Sequence, residues 1–137
     1  IGGGAFYGCS GLATINVKAG NTVYDSRNNC NAIIETATNT LIQGCKNTTI
    51  PNSVTSIGYA AFYNCSGLTS VTIPNSVTSI GEGALACEYL TKVNYGGTKE
   101  QARMLFKVGD LFYYESNPTI ICTDGEITYS DIMGEGA

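Results

Sequence analysis

Apolar positions recur along this chain with a period of 23 residues. The nine residues 50–58 (IPNSVTSIG) return unchanged at 73–81, and a match of that length does not arise by chance. The apolar columns of one turn are Ile57, Ala61, Phe62, Cys65, Leu68, Val71, Ile73 and Val77. Because a turn of this length cannot bury its own apolar face, neighbouring turns must stack around a shared core.

The spacing of apolar residues changes within each turn from that of a helix to that of a strand. Residues 61–65 are spaced like one face of a short helix or 3₁₀ turn, and residues 5–9 repeat this spacing. Val71 and Ile73 alternate with polar residues as in a strand, and Pro74 ends it because proline has no N–H to donate. We therefore expect a strand and a short helical turn in each repeat. A strand-only β-helix, without the helical turns, is the alternative.

Parallel strands of successive turns should form one ladder with an inner and an outer face. The inward positions are Leu12, Ile15, Val17, Leu68, Val71, Ile73, Leu90, Val93 and Tyr95. The outward positions are Thr14, Asn16, Asn47, Thr49, Ser70, Thr72, Lys92 and Asn94. Because the strands of a solenoid present one continuous surface that a partner can span, these eight outward residues are the predicted protein contacts.

One repeat, residues 18–50, is ten residues longer than the others. Two β-prone runs at 32–35 and 40–43 flank a TATN sequence inside it, which predicts a hairpin insertion. The chain then rejoins the repeat register at Cys45, which takes the column of Leu68.

From residue 98 onward the sequence leaves the repeat. Residues 98–101 (TKEQ) form a capping box that should begin a short helix, with Gly109 ending it. The inward residues of this helix should be Ala102, Leu105 and Phe106. Further on, two β-prone runs at 119–122 and 126–129 flank an Asp-Gly pair, which predicts a second hairpin. Such a departure is expected of a cap, because the last coil would otherwise expose its apolar face.

The composition favours an extracellular repeat over a cytoplasmic enzyme. Hydrophobic residues make up 43% of the chain and charged residues only 13%. The net charge is −4 and the 7 basic residues are scattered, so no stripe exists that could neutralise the phosphates of a nucleic acid. No apolar run approaches the roughly 20 residues of a membrane-spanning helix. The chain opens at Ile1 inside a repeat, so we expect any export signal or anchor to lie outside it.

The side chain that most often acts as a general base is missing. The chain has no His, which removes the commonest general base and the usual partner of a Ser or Cys nucleophile. We therefore expect no enzyme, no cofactor and no catalytic residue. The 6 Cys should be free thiols in preference to disulfides, with Cys9 and Cys65 at core positions. If a disulfide exists, Cys30 and Cys45 are its expected members. No C-x-x-C pair supports a zinc site.

Two other groups of residues could bind a ligand. The loop 25–31 (DSRNNCN) is rich in oxygen donors, but Arg27 stands where a calcium ligand would be needed, which favours an Asx-rich turn and no metal site. The tyrosines Tyr7, Tyr59, Tyr63 and Tyr89 could anchor a partner. Because two of them follow the core Phe of each repeat, we interpret them as packing between coils.

The repeat resembles that of the BspA-type leucine-rich-repeat family, whose unit reads I-G-x-x-A-F-x-x-C-x-x-L-x-x-V-x-I-P-x-x-V-x-x-I-G. The resemblance covers residues 1–17 and 50–95. Residues 21–45 look like a hairpin-bearing variant of the same repeat. The tail from 95 to 125 is similar to the family's end-cap, except that Ala102 stands where an aromatic residue is common.

This resemblance implies an α/β repeat fold. We expect a leucine-rich-repeat solenoid with a parallel β ladder, short helical turns and a hairpin insertion over residues 1–97, and a C-terminal helix-plus-hairpin cap over 98–137. It also implies a secreted or surface-displayed bacterial protein without catalytic residues. Some members act as adhesins, so a host matrix protein or a bacterial surface protein is the expected partner. The alternative is a structural spacer, or stalk, with no ligand of its own.

Overall fold

The computed structural model describes residues 1, 5–6, 9 and 11–134. Its strands are β1 (Tyr24–Asp25), β2 (Ile33–Glu35), β3 (Thr40–Gln43), β4 (Ser56–Ile57), β5 (Ser70–Ile73), β6 (Ser79–Ile80), β7 (Lys92–Tyr95), β8 (Thr119–Cys122) and β9 (Gly125–Thr128). Its helices are a 3₁₀ turn at Arg27–Asn29, α1 (Lys99–Leu105) and α2 (Tyr129–Gly134). In this part of the chain no helix is long and apolar enough to cross a membrane.

The first sheet has the strand order β1-β2-β3-β4-β6. The Ser-Ile pairs of the two identical blocks form β4 and β6, which pair in parallel, and β3 pairs in parallel with β4. Leu41, Ile57 and Ile80 therefore share one buried column. The predicted hairpin is confirmed as the antiparallel pair β2–β3, and the sequence did not predict β1, which pairs with β2. The hairpin is thus part of the stack of repeats, because in the long repeat β3 occupies the position that a Ser-Ile strand occupies in the two identical blocks.

The second sheet has the order β5-β7-β8-β9 and combines parallel and antiparallel pairs. Strands β5, β7 and β8 run parallel, and β9 returns antiparallel to β8, which confirms the second predicted hairpin. Val71, Val93 and Ile120 occupy one inward row and are buried. Pro74 follows the last residue of β5, as expected. The hairpin of the cap therefore extends the sheet of the repeats, which the sequence did not predict.

The short helix or 3₁₀ turn expected at residues 61–65 is only partly formed, as 3₁₀-type bonds that do not follow one another without interruption. The N–H groups of Ala61, Tyr63 and Cys65 donate to the carbonyls three residues earlier, at 3.1 to 3.2 Å. The alternate N–H groups point to the next coil: Ala60 donates to Glu82, Phe62 to Ala84 and Asn64 to Ala86, at 3.1, 2.8 and 3.2 Å. A continuous 3₁₀ helix would also direct the Phe62 and Asn64 N–H groups to the carbonyls three residues earlier. The segment is neither a helix nor a strand, so the repeats are built from strands and turns. Of residues 5–9, Ala5 and Phe6 lie in a turn and Cys9 donates to the Phe6 carbonyl, while Tyr7 and Gly8 lie outside the described residues.

The strands expected around residues 14–17 and 47–50 are not formed. Leu12, Ile15 and Val17 are half-buried in a segment without regular structure, and the Val17 N–H donates to the Ser26 hydroxyl at 2.8 Å. The Thr49 N–H donates to the Cys30 carbonyl at 3.0 Å. In both places the backbone binds the loop of the long repeat, so it does not extend the ladder.

The core is one continuous cluster from the hairpin repeat to the cap. It includes the expected inward residues of α1: Ala102, Leu105 and Phe106. The capping box is confirmed, with Thr98 accepting from the Gln101 N–H and the Gln101 side chain accepting from the Thr98 N–H. The helix ends at Leu105, earlier than Gly109, because the Val108 N–H turns back to the Phe106 carbonyl at 2.9 Å. Helix α2 was not predicted.

Candidate functional site

The predicted contact residues are divided between strands and loops. Thr14, Asn16, Asn47 and Thr49 are exposed but lie outside every strand. Ser70 and Thr72 are exposed on β5, while on β7 Lys92 is exposed and Asn94 is half-buried. The strand register places Ser70 beside Lys92 and Thr72 beside Asn94. The structure therefore brings four of the eight residues together on one sheet.

Thr49 lies next to these four without joining their sheet. A cleft of about 160 Å³ separates residues 48–50 from β5, and Thr49, Ser70 and Thr72 all line it. On the far side, the Thr48 hydroxyl donates to the Asn31 carbonyl at 2.6 Å and accepts from the Cys45 N–H at 2.8 Å. These bonds hold residues 48–50 to the loop of the long repeat.

The outer face of the second sheet is longer than the sequence predicted. Strand register continues the row Ser70–Lys92 through Thr119 to Thr128, and the row Thr72–Asn94 through Ile121 to Glu126. We call these eight residues the ladder face. Sequence reasoning missed four of them, because residues 119–122 (TIIC) contain three successive apolar residues and do not show which of them face outward. The ladder face carries short neutral side chains, one Lys, one Glu and no aromatic ring.

The loop at residues 25–31 is held by an ion pair. Arg27 donates to Asp25 through Nε at 2.7 Å and through a terminal nitrogen at 2.8 Å, and its N–H forms the expected Asx turn at 3.0 Å. The Thr36 hydroxyl donates to the second carboxylate oxygen at 2.6 Å. The hydrogen bond from the Arg27 side chain holds the pKa of Asp25 well below its usual range. Since both oxygens of this carboxylate have protein donors, the loop favours structure over calcium binding.

No group of three or more His, Cys, Asp or Glu is placed to hold a metal ion within the part of the chain described.

The six cysteines are free thiols, including Cys30 and Cys45. Burial is the largest cause that raises the pKa of Cys65 to about 11 and that of Cys87 to about 12. A thiol with such a pKa is protonated at neutral pH and is a poor nucleophile. The expectation that Cys9 is a core residue is wrong, because it is exposed in the first turn, and Cys65 is only half-buried.

The interpretation of the tyrosines as packing between coils is also wrong. Tyr59 is 71% exposed, Tyr89 is 56% exposed and Tyr63 is 41% exposed, while Tyr7 lies outside the described residues. Tyr59 and Tyr63 line a groove of about 320 Å³ together with Tyr113 and Tyr114. Sequence reasoning missed the last two, although the run of three aromatic residues at 112–114 was visible.

A family model described as BspA type leucine rich repeat region matches residues 1–108 in six copies. No curated protein and no solved structure matches the chain.

Proposed function

Because the chain belongs to the BspA-type leucine-rich-repeat family, we propose that it is a non-catalytic protein-binding module of a bacterial cell-surface or secreted protein. Its repeats stack as a solenoid over residues 1–97, and residues 98–137 form the cap. Parallel pairing between equivalent strands of successive repeats supports this arrangement. The family match extends to residue 108 and so includes α1, whose buried side chains join the core of the repeats.

The observation that carries the binding role is the register of the ladder face. Two rows of outward side chains run without a break across β5, β7, β8 and β9, at the spacing of neighbouring strands. A protein partner that lies across the strands meets a flat surface of hydroxyl, amide and single charged groups, with one aliphatic side chain, that of Ile121. Such a surface offers hydrogen bonds but no large anchor, so each coil contributes weakly. Useful affinity then comes from many coils that engage together.

Two features support a non-catalytic role. The chain contains no His, and the thiols of the half-buried Cys65 and the buried Cys87 have raised pKa values, so neither thiol is an activated nucleophile.

Burial of four of the free thiols, those of Cys30, Cys45, Cys87 and Cys122, is consistent with an extracellular location. A protonated, buried Cys reacts slowly with oxidants and disulfides, so it persists in an oxidising environment.

Binding to immobilised host matrix proteins and bacterial surface proteins tests the proposal. We expect weak saturable binding that the double variant Thr49→Lys, Thr72→Lys reduces, because two bulky cations enter the cleft beside β5. Thr22→Lys is the matched control, since Thr22 is exposed in the long repeat and does not line this cleft. A longer array, built by adding copies of the repeat, should bind more tightly than the chain itself.

Two outcomes oppose this proposal. Equal affinity of the chain and the longer array, or indifference to both Lys substitutions, would place the contact elsewhere than on the ladder face. Failure of both forms to bind any of these proteins would favour the structural spacer.

A further inference from the structure

A second surface, separate from the ladder face, is the groove lined by Tyr59, Tyr63, Glu82, Asp110, Tyr113 and Tyr114, which we call the tyrosine groove. Two successive coils and the segment that follows α1 build it. The Ala60 N–H donates to the Glu82 carbonyl at 3.1 Å, and the Gly83 N–H donates to the Asp110 carbonyl at 3.0 Å. These backbone bonds fix the walls of the groove relative to one another, so its shape is set by the stacking of the repeats.

The tyrosine groove leaves aromatic surface open to solvent. Tyr59 is 71% exposed and Tyr114 is 82% exposed, although tyrosine is more often at least partly covered in a folded protein. The rings of Tyr113 and Tyr114 lie with their centroids 4.7 Å apart and their planes tilted by 49°. Tyrosines that cluster on one surface are typical of binding sites, because a rigid ring offers a large contact area at a small entropic cost.

The charge of the groove is negative. Glu82 and Asp110 lie in its wall, and none of the described residues that line it is Lys or Arg. A hydrogen bond with Tyr114 is the largest cause that raises the pKa of Tyr113 to about 12, and the nearby carboxylates of Glu88 and Glu115 contribute to this shift. Glu82 and Asp110 therefore place negative charge in the same groove as the rings, whose faces themselves attract cations through their quadrupole.

We propose that the tyrosine groove binds a cationic side chain, that of arginine or lysine, presented by a protein partner. The carboxylates neutralise the cation while the rings stack against it, and a guanidinium gains from both contacts at once. A volume of about 320 Å³ is at the small end for a ligand site, which fits one long side chain better than a cofactor. The proposal rests on the proposed function in one respect only, namely that a protein partner supplies the cation.

The probe for this inference is the peptide acetyl-Arg-Arg-Arg-amide, titrated into the protein while the ring signals of its tyrosines are followed by NMR. We expect shifts of Tyr59 and Tyr114 but not of Tyr89, and Tyr59→Ala or Tyr114→Ala should weaken binding by about 2- to 5-fold each. Tyr89→Ala is the matched control, because Tyr89 is 56% exposed and does not line the groove.

A double variant that replaces both carboxylates with amides separates the effect of charge from the effect of shape. Glu82→Gln with Asp110→Asn should weaken binding and reduce its sensitivity to salt. Asn also preserves the backbone at residue 110, whose φ of 56° suits Asp and Asn among residues with a side chain. Glu100→Gln, an exposed carboxylate on α1, is the control and should change nothing. The thermal midpoint of each variant reports whether it is folded.

Several results would overturn the inference. The tyrosine variants could leave the affinity for tri-arginine unchanged, or a tri-glutamate peptide could bind equally well. The ring signals could shift only with a neutral oligosaccharide, or the protein could self-associate in a way that Tyr59→Ala abolishes. If matrix-protein binding responds to Thr72→Lys while tri-arginine causes no ring shifts, this inference fails and the binding module stands. If tri-arginine binds in the groove and no protein binds the chain or the longer array, the groove stands and the proposed function fails.

Discussion

Replacing Gly44 with alanine perturbs a contact between two repeats. A Cβ at this position would lie 2.1 Å from Cε1, 2.5 Å from Cζ and 2.7 Å from Cδ1 of the Phe62 ring. Phe62 is fully buried, so its ring has no route to solvent. The Gly44 N–H also donates to the Ala61 carbonyl at 2.9 Å, which resists a shift of the backbone. Gly44 is not among the residues with positive φ, so the clash acts through packing and not through backbone strain.

The free energy of unfolding should fall by about 1 to 3 kcal/mol, the usual cost of forcing an extra methyl group into a packed core. For a chain of this size, that corresponds to a decrease of roughly 4 to 12 °C in the melting temperature. Urea unfolding followed by circular dichroism measures the free energy directly, with an unchanged m-value showing that the unfolded state is the same.

A double-mutant cycle identifies the Phe62 ring as the cause. Phe62→Leu shortens the side chain, so Gly44→Ala should cost less in that background than in the natural one, with a coupling free energy of about 0.5 kcal/mol or more. Gly109→Ala is the matched control, because nothing lies within 4 Å of a Cβ there. If Gly44→Ala destabilises no more than Gly109→Ala, or if the two core substitutions add independently, the steric reasoning is wrong.

Two further predictions concern charge and thiol chemistry. The ion pair lowers the pKa of Asp25 in the folded state, so its stabilisation is present above the ordinary value of 3.8 and is lost as the pH falls below it. Asp25→Asn should therefore be less stable than the natural protein at pH 7, and urea unfolding should show this difference shrinking toward pH 2; a constant difference would contradict the ion pair. With Ellman's reagent at pH 8, Cys9 should react at once and Cys87 only after unfolding, whereas equally fast reaction of both would contradict the burial of Cys87.

Local pattern was enough to predict those elements whose partners lie one repeat away. Val71 and Val93 were assigned to one inward row because the period itself pairs them, and the Thr98 capping box needs only residues within one helical turn. The turn at residues 60–64 was misread because apolar spacing does not show which N–H groups bond to the neighbouring coil. That choice depends on Ala60 and Asn64, whose positive φ values of 54° and 59° redirect the chain.

The tyrosine groove shows the corresponding limit for a site. Tyr59 and Tyr63 belong to a recognisable repeat, but Tyr113 and Tyr114 follow α1, about fifty residues later, where the period has ended. The bonds from the Gly83 N–H to the Asp110 carbonyl and from the Leu85 N–H to the Leu111 carbonyl, both at 3.0 Å, bring that segment against the last coil. Half of the ladder face was missed for a similar reason, since β8 pairs with β7 across the whole of α1.

Arg27 also determines how the long repeat should respond to mechanical force. Besides Asp25, its side chain donates to Asn39 at 2.6 Å, in the turn of the hairpin, and to Ser53 at 3.2 Å, in the following repeat. One guanidinium thus joins segments that are 12 and 26 residues away along the chain. When the two ends of the chain are pulled apart, the hairpin cannot separate from the following repeat while these bonds hold. It should extend in one step together with the coil of Ser53, and Arg27→Ala should divide that step into two smaller ones in single-molecule pulling.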